Sequence, residues 1–271
     1  MRNRFGGINK MSSEDFKRFE EITLRILEYV TKAVPFEVHH VERAIKDIKE
    51  LERSSGINVP LRIYELLSDL YEILAKRYIT CETSKAADFY KKAIKIREKI
   101  LVNKLERQQC AEVLSNLGLT YGSLAEVRDP EENLRKAIKA YNEALGIYTK
   151  KDFPINYATA QNNLGMAYGS LAEVRDPEEN SQKSIKAYNE ALAIRTKEDF
   201  PIDYAMTQNN LGAAYDSLAK VRDPEENLRK AIKALNEALV IRTKEDFPID
   251  YAMTQENLER LLAKKSAKQI K

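Results

Sequence analysis

Histidine, cysteine and glycine are scarce in this chain and tryptophan is absent: two, two, nine and none among 271 residues. Each shortage removes a class of function. Cys81 and Cys110 are too few for a disulfide framework and form no Cys-x-x-Cys pair, so reduced thiols are expected. His39 and His40 are adjacent, which on a helix turns them roughly 100° apart. Helical metal-binding pairs stand at i and i+4, so no metal site is expected. The chain has no glycine-rich phosphate loop and no nucleophile motif. Neither enzymatic activity nor a cofactor is therefore expected. No stretch approaches the roughly 20 apolar residues that a membrane helix needs. The opening MRNRFGGINK has Arg2 and Arg4 but no apolar run behind them, so a secretory leader is not expected and the reading is cytoplasmic. With 45 basic against 42 acidic residues, charge alone points to neither nucleic acid nor a membrane surface.

What the chain does have is period. Tyr204–Asp250 matches Tyr157–Asp203 residue for residue at a shift of 47, with ten differences. The same unit reaches back to Asn116–Asn156 and forward to Tyr251–Leu262. A fixed repeat of this size marks a stacked array, in which each unit buries its apolar face only against its neighbours. A composition rich in Ala, Leu, Glu and Lys makes those units helical.

The prolines set the metre. Pro130, Pro154, Pro177, Pro201, Pro224 and Pro248 are spaced 24, 23, 24, 23 and 24 residues apart. Proline is tolerated in the first helical turn and damaging in the interior, so the spacing predicts helices of about 20 residues starting at each one. Pro35, Pro60 and a cap at Ser12 or Ser13 extend the scheme to eleven helices. Two kinds of start alternate. Asp129-Pro130-Glu131-Glu132 and its copies at Asp176 and Asp223 are expected to cap through the aspartate side chain, with the glutamates on the positive helix end. Phe153-Pro154 and its copies at Phe200 and Phe247 place an aromatic where it can staple back onto the helix.

Helical stripes run through both halves of the unit: Leu164, Tyr168 and Leu171 in the first, Ile185, Tyr188, Ala191 and Leu192 in the second. Gly165 interrupts the first stripe, as do Gly118 and Gly212, which suggests close approach by another helix. Leu164-Gly165-x-x-Tyr168 followed by Ser184-x-x-x-Tyr188-x-x-Ala191 resembles the tetratricopeptide repeat. Ala231–Ala238 matches the second half again, with Leu235 in the aromatic slot. The family repeat has about 34 residues, so each unit here carries 13 more. They divide into seven before Ser184 and six after Ala191, which predicts two helices lengthened equally. The resemblance implies an all-α fold: an α-solenoid, a right-handed superhelix of antiparallel helix pairs with a C-terminal capping helix. The expected organisation is a disordered tail at 1–11, degenerate N-terminal helix pairs at 12–105, three extended units at 106–250, and a capping helix with a basic tail at 251–271. Ala86, Tyr90 and Ala93 occupy second-helix slots in the degenerate part, where Tyr71 replaces the glycine; an earlier pair closes at a glycine cap, Ser54-Ser55-Gly56. On the last helix, Glu256, Glu259, Arg260, Lys264 and Lys265 are expected to solvate the end of the array.

Before each Leu-Gly pair stands an asparagine: Asn116, Asn163, Asn210 and Asn257, preceded by Asn162 and Asn209 in two units and by Ser115 in an earlier one. First helices line the concave surface of tetratricopeptide arrays, and in several members an asparagine at this slot hydrogen-bonds the backbone of a bound peptide. The resemblance thus implies a partner-binding role for these six residues. Near-identical units would also carry copied asparagines that do nothing. The basic side chains of the family's terminal-carboxylate clamp are missing here, apart from Arg260. The function expected is a protein–protein interaction module holding a peptide or helical segment of a partner, in a monomer or weakly self-associating chain. The alternative is a spacer or self-assembling scaffold that stacks through its terminal helices.

Overall fold

The computed structural model describes residues 61–103 and 105–269, together with residues 14, 17, 20, 21, 24, 41–43 and 45–49. The tail at 1–11, the His39–His40 pair and the glycine cap at Ser54-Ser55-Gly56 lie outside the described residues, as does most of the helix pair expected at 12–54. The chain forms two compact units, 1–105 and 106–271.

In the first unit, α1 (Leu61–Tyr78) and α2 (Thr83–Leu101) pack as a pair. Ala86, Tyr90 and Ala93 are buried in this contact. Tyr71 is also buried, its ring stacked on Phe89 with centroids 6.1 Å apart. Buried Arg97 of α2 joins Glu72 and Asp69 of α1, with Nη2 2.7 Å from Asp69 Oδ1. Burial raises the Asp69 carboxyl pKa, and Arg97 opposes that shift.

The second unit is a solenoid of seven helices: α3 (Arg107–Ala125), α4 (Pro130–Leu145), α5 (Pro154–Val174), α6 (Pro177–Leu192), α7 (Pro201–Ala219), α8 (Pro224–Leu239) and α9 (Pro248–Gln269). Each packs on its neighbours in sequence, and α3, α5 and α7 also touch in succession. Six of the seven begin at a proline, as the metre predicts.

Two local expectations are corrected. Asp129, Asp176 and Asp223 do not cap with their side chains. They stand in the left-handed region at φ 46°, 43° and 39°. Helical backbone is disfavoured before proline, and aspartate is one of the few residues besides glycine that tolerate positive φ. The turn is tied instead by the last residue of Asp-Pro-Glu-Glu-Asn. Buried Asn133, Asn180 and Asn227 donate from Nδ2 to the carbonyls of Arg128, Arg175 and Arg222, each at 2.7 Å. Nor are the two helices of a unit equal in length. First helices run 19, 21 and 19 residues and second helices 16 each. The second helix ends in a tight turn, with the amides of Ile147 and Tyr148 both donating to the Ala144 carbonyl, and a threonine turn follows it. Thr149 Oγ1 accepts from the Asp152 amide at 3.0 Å and donates to the Asp152 carboxylate at 2.9 Å. Thr196–Asp199 and Thr243–Asp246 repeat this closed turn. Phe153 lies edge-on to Tyr148 of that connection, with ring centroids 5.6 Å apart.

The glycine slot is a close helix contact, as expected. A Cβ on Gly118 would lie 2.8 Å from the Tyr141 ring, and one on Gly165 2.8 Å from the Tyr188 ring; on Gly212 it would meet Leu235 Cδ2 at 2.9 Å. Each ring or methyl comes from the second helix of the same unit and occupies the space that a side chain would need. In the middle unit Ser184, which stands where its neighbours have Ala137 and Ala231, donates to the Gly165 carbonyl at 2.7 Å.

Candidate binding groove

The asparagines stand at one helical slot on α3, α5, α7 and α9. Asn116 is exposed, and Asn163, Asn210 and Asn257 are half-buried. Asn163 lines a cleft of about 270 Å³ between α3 and α5, together with Leu119, Met166 and Val174. These three apolar side chains remain 44–48% exposed. Gly122 and Ser123 on α3 and Ser170 on α5 also line it. A Cβ at Gly122 would meet nothing within 4 Å, so the cleft is open there for lack of any side chain.

Asn162 lies behind the cleft wall: its Nδ2 donates toward Asn163 Oδ1 at 3.4 Å and Met166 Sδ at 3.7 Å, while its Oδ1 serves the junction with the next first helix. It is 2% exposed, with Oδ1 3.3 Å from Thr207 Oγ1 of the next first helix. That threonine accepts from Arg195 Nη1 at 3.2 Å, and Arg195 Nη2 reaches Thr159 Oγ1 at 3.1 Å. Asp203 Oδ1 lies 3.4 Å from the same Nη2. Arg195 is thus a buried cation tying α5 to α7 through two hydroxyls and a carboxylate. Burial lowers its pKa and Asp203 counters this, but an arginine stays protonated in any case. Arg242 repeats the arrangement with Thr254 at 3.0 Å and Asp250 at 3.4 Å. Asn209, the copy of Asn162, is half-buried, and among the described residues its enclosed Oδ1 has no hydrogen-bond partner. One unit earlier the arginine slot holds Tyr148, and the threonine and asparagine slots hold Ala160 and Ser115. That exchange of character at matching positions was the sequence signal for these junctions.

The last junction carries a second group missed in the sequence. Asp216 of α7 is 4% exposed and occupies the slot of Gly122 and Gly169. Arg260 Nη1 donates to it at 3.0 Å, and Lys264 Nζ lies 2.8 Å from both carboxylate oxygens. Arg260 and Lys264 therefore clamp α9 onto α7 rather than merely solvating the end. In the α3–α5 cleft their slots hold Met166 and Ser170.

No group of metal ligands occurs among the described residues, and none of their helices is long and apolar enough to cross a membrane. The helix pairs, their succession and the glycine slots define an all-helical tetratricopeptide-like repeat fold. The apo form of RapI is similar over 97% of this chain and 64% of its own, with a TM-score of 0.61 at 16% identity. This chain thus spans less than two thirds of RapI's length. A Pyrococcus horikoshii signal-transduction ATPase with numerous domains and a tetratricopeptide repeat sensor matches over 92% of this chain and 35% of its own, with a TM-score of 0.47 at 20% identity. BtubC from P. vanneervenii matches over 85% and 92%, with a TM-score of 0.44 at 22% identity. At these identities the likeness concerns the fold alone. No protein-family model matches the chain, and no curated protein matches it.

Proposed function

We propose that this protein is an interaction module that holds a peptide or helical segment of a partner protein in the groove lined by its first helices. The α3–α5 cleft carries the reading, because it sets an amide beside apolar side chains that no neighbouring helix covers. The Asn163 amide offers a donor and an acceptor to a peptide unit, and Leu119, Met166 and Val174 offer apolar area. Asn116, Asn210 and Asn257 extend the same slot along the array. Asn162 serves the helix junction instead, and Asn209 sits at the corresponding place. Catalysis, nucleic acid and a membrane surface have no part in this reading.

The alternative, stacking through terminal helices, is less well supported at α9. Exposed Glu259 stands where α5 and α7 have Gly165 and Gly212, and Lys265 stands where they have Leu171 and Leu218. A helix added there in the repeat manner would bury charges.

The test is a pull-down from the source lysate with three baits: the parent chain, Asn163→Ala with Met166→Glu, and Lys186→Glu on the exposed face of α6. Partners kept by the parent and the α6 variant but lost by the groove variant support the proposal. Partners retained equally by all three overturn it.

A further inference from the structure

We infer that the α3–α5 cleft selects a cationic segment, one in which a Leu- or Met-sized side chain is flanked by Lys or Arg. This rests on the groove reading above and adds the chemistry of the occupant. Two glutamates, Glu126 and Glu173, stand at the mouth of the cleft at equivalent places in successive units, and no Lys, Arg or His lines it. Both are exposed, and neither is ion-paired among the described residues. Their position is locally unfavourable. Glu126 is the C-terminal cap of α3 and Glu173 lies in the last turn of α5, and neither helix has a basic residue in that turn. Helix C-termini carry partial negative charge from their free carbonyls, which favours cations there and disfavours carboxylates. Glu126 and Glu173 therefore form a negative rim around an apolar floor, and Arg175, the cap of α5, does not line the cleft and lies 3.4 Å from the Asp176 carboxylate. Two exposed carboxylates without an ion-pair partner among the described residues, at the mouth of an apolar cleft, point to a ligand that supplies the opposite charge. The third copy of the slot holds Lys220 instead of a glutamate, so the acidic rim is confined to this cleft.

The chain provides an internal precedent. In the equivalent space between α7 and α9, the slot of Met166 holds Arg260 and that of Ser170 holds Lys264, both laid against a carboxylate of the facing helix. Cations with long aliphatic stems thus already fill this kind of inter-helix space once in the molecule. Lys and Arg stems can lie along apolar surface while the charged heads reach acids at the rim. An acidic segment would face Glu126 and Glu173 with like charge.

The experiment selects binders from a random dodecapeptide library on phage against the full chain. The most enriched peptide is then synthesised with a fluorescent label and titrated by anisotropy against the parent, Glu126→Lys with Glu173→Lys, and Met166→Glu. All three substituted side chains are exposed, and melting curves check that the variants remain folded. Enriched peptides should place Lys or Arg around Leu, Met or Ile. Binding should weaken about tenfold or more in the charge-reversed variant and fall as salt rises. Acidic or uncharged binders that Met166→Glu still weakens would overturn the charge selection while leaving the groove in place. Binders indifferent to both variants, or no enrichment at all, would overturn the groove reading and this inference together.

Discussion

The α3–α5 and α7–α9 junctions bring the same face of the same kind of helix together with opposite results. One leaves an open apolar cleft, and the other is closed by Asp216, Arg260 and Lys264. Three slots account for the difference: Gly122, Met166 and Ser170 become Asp216, Arg260 and Lys264. Helix–helix packing elsewhere in the unit supplies the spacing, so these slots are free to stay empty or be filled. A repeat array can thus vary its surface junction by junction without altering its scaffold.

The strongest way to break this comparison is to remove the cations alone. Arg260→Met with Lys264→Ser leaves the buried Asp216 carboxylate unpaired and should destabilise the second unit by about 2–4 kcal/mol, because a buried charge without partners is costly. Adding Asp216→Gly restores the residues of the open junction and should recover most of that loss. Denaturant titrations of the two variants check this, and equal midpoints would show that Asp216 is solvated without α9.

Next in size is the glycine slot. Gly165→Leu should cost roughly 1–3 kcal/mol through overpacking, because the Tyr188 ring already fills the space. Gly212→Leu should cost somewhat less, since the Leu235 methyl at 2.9 Å ends a flexible side chain, although the Ala231 carbonyl oxygen at 3.3 Å limits the relief. Thermal melts rank the pair against an exposed control, Glu179→Leu. The opposite order would mean that the tyrosine ring moves aside more readily than the leucine.

Arg195→Met tests the polar junction. It leaves the Thr159 hydroxyl and the Asp203 carboxylate without their guanidinium, for an expected loss of about 1–2 kcal/mol. The same change of Tyr148 to Met should not alter the salt dependence of melting, because that junction contains no such ion pair.

The smallest effect concerns pH. Hydrogen bonds from Lys150 and then from the Tyr157 hydroxyl hold the Glu190 carboxyl below its ordinary pKa. A group whose pKa is lowered on folding binds protons more readily unfolded, so its stabilisation is present above the unfolded pKa and is lost as pH falls through the folded one. Glu190→Gln should therefore lower the melting temperature slightly at neutral pH and converge with the parent in acid. A constant gap at all pH values would assign the effect to packing.

Much of the molecule was legible because the rules involved are local. Proline at a first helical turn is a constraint within a few residues, so the metre located six helix starts. A glycine at the same place in three successive units marked a close helix contact. Helix ends were less legible. Each second helix closes on Ala144, Ala191 or Ala238 with a tight turn before the threonine–aspartate turn begins, and apart from Gly146 no glycine or proline at that point marks the stop in the sequence. The aspartate before each proline offered two readings, a side-chain cap or a left-handed backbone. The choice followed from where the buried asparagine four residues later could reach.

Sequence alone determined the period, the helical class, the tetratricopeptide-like stacking and the slots where helices approach, since all of these recur with the repeat. Only tertiary structure decided which of two adjacent asparagines would be buried. Asn162 and Asn163 are the same residue type one position apart, yet about 100° of helical rotation buries the first, with its Oδ1 against Thr207 of the next first helix, and leaves the second half-buried in the cleft. It also decided the charge of the last junction. Asp216, Arg260 and Lys264 look like ordinary surface residues until α9 is laid on α7, because what a charge contributes depends on its partners and on how much water remains around it.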